Sequence, residues 1–165
     1  MIFKNLNQRY LINLLFIFFI FLFDRISKIY IIYLDQKLSG AEIFSSKFLN
    51  ITLIWNKGIA FGLLNFEKNN LYNFLTVLIL IIILVIALMS INTEGLKKFS
   101  FLIILGGALG NVFDRIFNKA VPDFIDFHVG DFHWFIFNVA DIFITLGVIF
   151  LILLEINDNN KIQKL

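Results

Sequence analysis

Four long apolar runs organise the chain. The first is uncharged from Leu11 to Phe23 and continues to Leu34, broken only by Asp24, Arg25, Ser27 and Lys28. The second, Leu71 to Ile91, carries no charge; the third extends from Phe99 to Phe113; the fourth, Trp134 to Leu154, encloses Asn138 and Asp141. A helix needs about 20 apolar residues to cross roughly 30 Å of hydrocarbon. Runs one, two and four reach that length, and the third does so when the polar stretch Asn111 to Arg115 continues its helix in a protected setting. The pattern therefore predicts spans over 11–33, 70–91, 98–115 and 134–155. Segment 35–69 is too polar to span. Within it, Phe48 to Trp55 alternates around the β-branched Ile51, Thr52 and Ile54, as a short strand does, and Asn56-Lys57-Gly58 supplies a turn. The expected fold is an all-α membrane protein, one domain over 1–165, with four transmembrane helices and a small extracytoplasmic β element between helices 1 and 2.

Composition agrees with that solvent. Apolar residues make up 59% of the 165 and charged residues 16%, against about 45–50% and 25% in soluble domains. A net charge of +2, spread along the chain, gives no nucleic-acid footprint. With no cysteine there is no disulfide, thiolate metal site or thiol nucleophile. Lys4 and Arg9 ahead of the first run imitate a secretory signal, but the run is long and no small-residue cleavage site follows, so an uncleaved helix is expected. Lys4, Arg9, Lys97, Lys98, Lys161 and Lys164 fall in less loop sequence than Lys37, Lys47, Lys57, Lys68 and Lys119. Positive charge gathers on the cytoplasmic side, which places both termini inside.

In a four-span chain the polar intramembrane residues then converge on one leaflet. Asp24, Arg25 and Lys28 lie in the outer half of helix 1, Asn111, Asp114 and Arg115 end helix 3, and Asn138 and Asp141 begin helix 4. The connections bearing Asn56, Gly58, Asp123 and Asp126 share that side. Ionisable residues in spans are costly and face the bundle interior, where they pair or do chemistry. Asn111, Asp114 and Arg115 share one helix face, as do Asn138 and Asp141, while Asp24 and Lys28 are spaced for a helical ion pair. Gly106 and Gly110 form a G-x-x-x-G pair that admits another backbone closely. Two neighbouring aspartates that share a proton can activate water against a peptide carbonyl. No serine has a nucleophile-elbow setting, and no H-E-x-x-H is present.

Local sequence leaves these assignments open. Asp141 reads equally as a partner for Arg115 that locks helix 3 to helix 4, Asp123 as a solvated loop carboxylate, and Asp114 as Arg115's neighbour and an orienting group. Arg115 also suits a lipid phosphate. His128 and His133 read as interfacial side chains, and Asp126 and Asp131 as solvated.

The ordered blocks Asp24-Arg25-Ile26-Ser27-Lys28, Asn56-Lys57-Gly58-Ile59-Ala60-Phe61, Gly106 to Arg115, Val121-Pro122-Asp123-Phe124 and Phe137-Asn138-Val139-Ala140-Asp141 resemble the prokaryotic lipoprotein signal peptidases, the signal peptidase II family. The resemblance runs over essentially the whole chain. It implies an inner-membrane aspartic endopeptidase with its site at the extracytoplasmic face, which removes signal peptides from diacylglyceryl-modified prolipoproteins by cutting before the lipidated cysteine. It implies Asp123 and Asp141 as the catalytic pair, with Asp24, Lys28, Asn56, Gly58, Asn111, Asp114, Arg115 and Asn138 supporting them or the substrate. Asn56 becomes a substrate-facing anchor. No metal or organic cofactor is implied; the expected partners are the diacylated substrate and membrane lipid, and the expected state is a monomer. Arg25 stands where the family often has Gln, and Pro122 where a second Val is common. Two rival readings are a proton-coupled transporter, which needs polar residues across both leaflets, and a divalent-metal lipid transferase, which needs carboxylates free to bind a cation.

Overall fold

The computed structural model describes residues 2–58 and 69–162. Ile59, Ala60 and Phe61 of the second block, together with Lys68 and Lys164, lie outside the described residues. In chain order the elements are α1 (Ile2–Lys37), β1 (Phe44–Ser45), β2 (Leu49–Asn56), α2 (Asn69–Ile91), α3 (Gly95–Phe117), β3 (Val121–Val129), β4 (Phe132–Phe137) and α4 (Val139–Ile162). Among the described residues, Leu71–Ile91, Gly95–Phe117 and Val139–Asp158 are long and apolar enough to cross a membrane. The longer α1 carries Arg9, Asp24, Arg25 and Lys28.

Helix α3 is the centre of the bundle. It packs against α1, α2 and α4, most extensively against α4, and is mostly buried while α2 and α4 are mostly exposed. That explains why the most polar of the three apolar helices occupies the middle: its neighbours, not lipid, meet Asn111, Asp114 and Arg115. A core of Ile83, Leu102, Leu105 and Val112 fills the α2–α3 contact. Large apolar side chains such as Phe19, Phe74, Leu84 and Leu153 stay more than half exposed, as a lipid-facing surface requires.

Glycines set the close approaches. A Cβ on Gly106 would meet Ile20 Cβ at 2.6 Å, and one on Gly110 would run into the Asp24 carboxylate, so the G-x-x-x-G pair seats α1. Gly107 faces α4, where a Cβ would meet the Ala140 carbonyl oxygen at 2.6 Å.

The sheet departs from the sequence expectation. It is a four-stranded antiparallel sheet of order β1-β2-β3-β4, so the β element is only half contributed by the segment between α1 and α2. The fold is mostly helical, not all-α. Asp123 lies on strand β3, not in a loop, and Trp134 to Phe137 belong to β4, so α4 begins at Val139 instead of residue 134. The physical reason is the two-residue turn Gly130-Asp131, which pairs Val129 with Phe132 and takes Gly130 to φ 58°. Pro122 is tolerated in an interior strand because β4 pairs with β3 only from Ile125 onward.

Candidate active site

Asn138 caps α4. Its side-chain oxygen accepts the Asp141 backbone N–H (3.2 Å), and the Asp141 carboxylate accepts the Asn138 backbone N–H (3.1 Å). This reciprocal arrangement satisfies two donors at the start of the helix and fixes the Asp141 side chain over its first turn. The remaining Asn138 hydrogen-bonding group, Nδ2, donates to Asp123 Oδ1 (2.6 Å). One residue, through its backbone N–H and its side-chain amide, therefore holds carboxylates that arrive from α4 and from β3.

Each carboxylate has one further amide donor. Asn56 Nδ2, at the end of β2, donates to Asp123 Oδ2 (2.8 Å), in line with the Asn56–Val121 register beside it. Asn111 Nδ2, on α3, donates to Asp141 Oδ1 (2.8 Å). Asn111 is oriented in turn by Lys28 Nζ, which donates to its oxygen (2.9 Å) and spends its other hydrogens on Asp114 (2.8 Å) and Asp24 (3.0 Å). Asp24 accepts the Ala140 backbone N–H (3.0 Å), one residue before Asp141. On the other flank, Arg115 Nη2 donates to the Gly58 carbonyl (2.7 Å), and the Gly58 N–H donates to Asn56 Oδ1 (2.8 Å). A single chain of hydrogen bonds thus connects all ten residues singled out from the sequence.

Burial governs the electrostatics. Burial, followed by the negative charge of Asp141, pushes the Asp123 carboxyl up from its ordinary 3.8 to about 6; the Asn56 and Asn138 donors and the Lys28 charge pull the other way. An apolar groove of about 440 Å³ opens beside Asp141, walled by Phe127, Trp134 and Phe137 of the sheet and Ile142 and Leu146 of α4. Two carboxyls of which one readily keeps its proton, next to a hydrocarbon-lined groove, can activate water against an amide presented from the lipid. Among the described residues no group of three His, Asp or Glu side chains is disposed to hold a metal ion; the carboxylates are committed to amides and cations.

Several placements differ from expectation. Asp114 is not oriented towards Arg115: it accepts from Arg25, Lys28 and Asn118. Arg115 instead lies 5.7 Å from the Tyr72 ring centroid, with its Nε and Nη1 buried and unpartnered among the described residues. Asp126 is buried, not solvated, and bonds His133 Nδ1 (2.7 Å), while His133 stacks on His128. Sequence reasoning placed Arg25 among the polar residues of helix 1 but gave it no role at the site, and it passed over Tyr72; an arginine beside an i, i+4 ion pair gives no indication that its partner lies on another helix.

The family profile described as Signal peptidase (SPase) II matches residues 16–157. The chain belongs to the signal peptidase II family. It is therefore a peptidase, acting on peptide bonds. This signal peptidase II chain is 50% identical over 157 residues to the lipoprotein signal peptidase of Pelagibacter ubique (strain HTCC1062), covering 95% of this chain and 94% of that protein. It is 36% identical to the lipoprotein signal peptidase of Anaplasma phagocytophilum (strain HZ), covering 94% and 99%. Among solved structures it resembles a bacterial membrane enzyme determined by the in meso method at 1.9 Å, with TM-score 0.72, 32% identity, and 88% and 93% of the two chains covered. A second such structure, at 2.3 Å, gives TM-score 0.70 at 28% identity, covering 90% of each chain. The signal peptidase II fold is thus that of a membrane enzyme.

Proposed function

We propose that this protein removes the signal peptide from diacylglyceryl-modified prolipoproteins, cutting before the lipidated cysteine, with Asp123 and Asp141 as the catalytic pair. The observation that carries the proposal is the shared grip of Asn138 on both carboxylates. One carboxyl holds a proton and the other is ionised. The ionised group takes a proton from water as the water oxygen attacks the scissile carbonyl, whose oxygen receives the proton held by the first. Collapse of the tetrahedral intermediate breaks the C–N bond, and the departing cysteine nitrogen takes a proton back from the pair.

The remaining residues serve this chemistry. Asn56 and Asn111 hold one carboxylate each, Asp24, Lys28 and Asp114 support Asn111 and the start of α4, and Gly58 with Arg115 faces the substrate backbone. The unpartnered Arg115 nitrogens suit carbonyl oxygens of an extended peptide. In this reading α1 is the fourth span, since its buried charges are matched within the bundle; the termini are cytoplasmic, the sheet lies at the outer boundary of the inner membrane, and the enzyme works as a monomer on one domain. The apolar groove suits acyl chains, each buried CH₂ adding about 0.8 kcal/mol. Incubation in detergent with a diacylated precursor and its unlipidated form tests the proposal. The expected result is one product whose mass places the cut before the lipidated cysteine; equal processing of the unlipidated form, or a cut elsewhere, contradicts it.

A further inference from the structure

Arg25 joins α1 to α3 more tightly than any other described side chain in the site. Its Nη1 donates to Asp114 Oδ1 at 2.6 Å, and its Nη2 reaches Asp114 Oδ2, Asp24 Oδ2 (2.9 Å) and the Gly110 carbonyl (3.3 Å). The guanidinium also lies over Phe113, 5.0 Å from the ring centroid. Asp24 and Asp114 are fully buried, Lys28 is 1% exposed and Arg25 11%. Two carboxylates thus face two cations, and the cluster is neutral only with Arg25 in it.

That neutrality bears on the pair of aspartates through two contacts. Lys28 divides its hydrogens among Asp24, Asp114 and Asn111, and only the last faces Asp141. Arg25 already binds both Asp114 oxygens, which leaves Lys28 free to hold the Asn111 carbonyl oxygen and so turn its amide towards Asp141. Asp24, meanwhile, contacts the backbone of Ala140, so any uncompensated charge on it lies directly beside the start of α4.

We propose that Arg25 is a positioning residue for the reaction: by neutralising Asp24 and Asp114 it keeps Lys28 on Asn111, and thereby sets both the geometry of Asp141 and the charge that the aspartate pair experiences. The proposal rests on the reading of Asp123 and Asp141 as the catalytic pair. The charged groups involved are Asp24 and Lys28 from α1, Asp114 and Arg115 from α3, Asp141 from α4 and Asp123 from β3; of these, Arg115 faces Gly58 and leaves the balance of the cluster unchanged.

The test compares wild type, R25K, R25Q and D141N on a diacylated precursor in detergent, recording kcat, KM and the pH profile of kcat, with thermal unfolding in the same detergent. R25Q leaves the cluster one negative charge in excess, which opposes ionisation of the pair. The expected result is a profile displaced to higher pH by about half a unit or more, with kcat about tenfold lower and KM within about twofold. R25K, which keeps the charge and loses the fork, returns the profile to its wild-type position. A folded R25Q with wild-type kcat and profile overturns the proposal, as do R25Q and R25K equally slowed with no displacement, which would make Arg25 a packing residue over Phe113. Should R25Q fail to fold, R25Q/D114N, in which one anion meets one cation, is read instead: a wild-type profile supports the proposal and a displaced one overturns it. Full turnover in D141N brings down the catalytic pair itself and this proposal with it, whereas an inactive D141N beside an unaffected R25Q removes only the role of Arg25.

Discussion

Asn138 spends every hydrogen-bonding group it has on the two aspartates or on the helix that carries one of them. Asn138→Ala therefore removes a cap, worth about 1 kcal/mol, and a charge-assisted bond worth about 1.5–3 kcal/mol. The expected outcome is a kcat lower by about one to two orders of magnitude with KM little changed, checked by steady-state cleavage. Asp123 makes a second prediction. Its folded value, near 6, exceeds the ordinary 3.8, so between those values the folded protein binds more protons than the unfolded chain, and stability falls as pH rises. The loss totals roughly 3 kcal/mol and is complete above about pH 7. Thermal unfolding of wild type should show this decline, and Asp123→Asn should flatten it. The spacing of Asn111 and Asp114 was legible because helical phase places both on one face; Asn138 and Asp141 meet instead as cap and first-turn residue of α4. The Arg25–Asp114 contact was not, since it spans 89 residues of sequence between two helices whose relative rotation no local pattern specifies.

At the scale of elements, Gly106, Gly107 and Gly110 of α3 decide how near the functional helices come. Gly107 lies against backbone, so a methyl there cannot be absorbed by a side-chain rotation; Gly107→Ala is expected to cost about 1–3 kcal/mol and to slow turnover by moving the start of α4. Gly110 lies against the Asp24 carboxylate, which is itself bound by Arg25, Lys28 and Ala140. Comparing thermal midpoints and kcat for the two alanine variants checks this. The G-x-x-x-G spacing was readable, but its partner, α1, was not. Strands β3 and β4 were hidden for a different reason: Trp134 to Phe137 is apolar and runs straight into α4, and a short apolar run does not reveal its period. The Gly130-Asp131 turn between Val129 and Phe132 was the available sign of a hairpin. Asp126 followed from the same omission, because a carboxylate on a paired strand finds neighbours that a loop residue lacks.

For the whole molecule, the absence of cysteine makes orientation directly measurable. With the sheet at the outer boundary, Asp131→Cys at the hairpin tip should react with an impermeant maleimide in cells whose outer membrane alone is opened. Asn92→Cys, between α2 and α3, should react only after the inner membrane is breached; the reverse pattern would invert the proposed topology. The helices were legible as long apolar runs, and the polar focus from the blocks in which ionisable residues gather. What joins them is the order of packing, with α3 at the centre, and that emerges only in three dimensions. The most direct measurement of the central claim is single-turnover cleavage of a diacylated precursor by wild type, Asp123→Asn and Asp141→Asn, each shown to unfold at a temperature close to wild type. Both variants should lose about three orders of magnitude or more in rate. Wild-type cleavage by either one would contradict the assignment of the two aspartates as the catalytic pair.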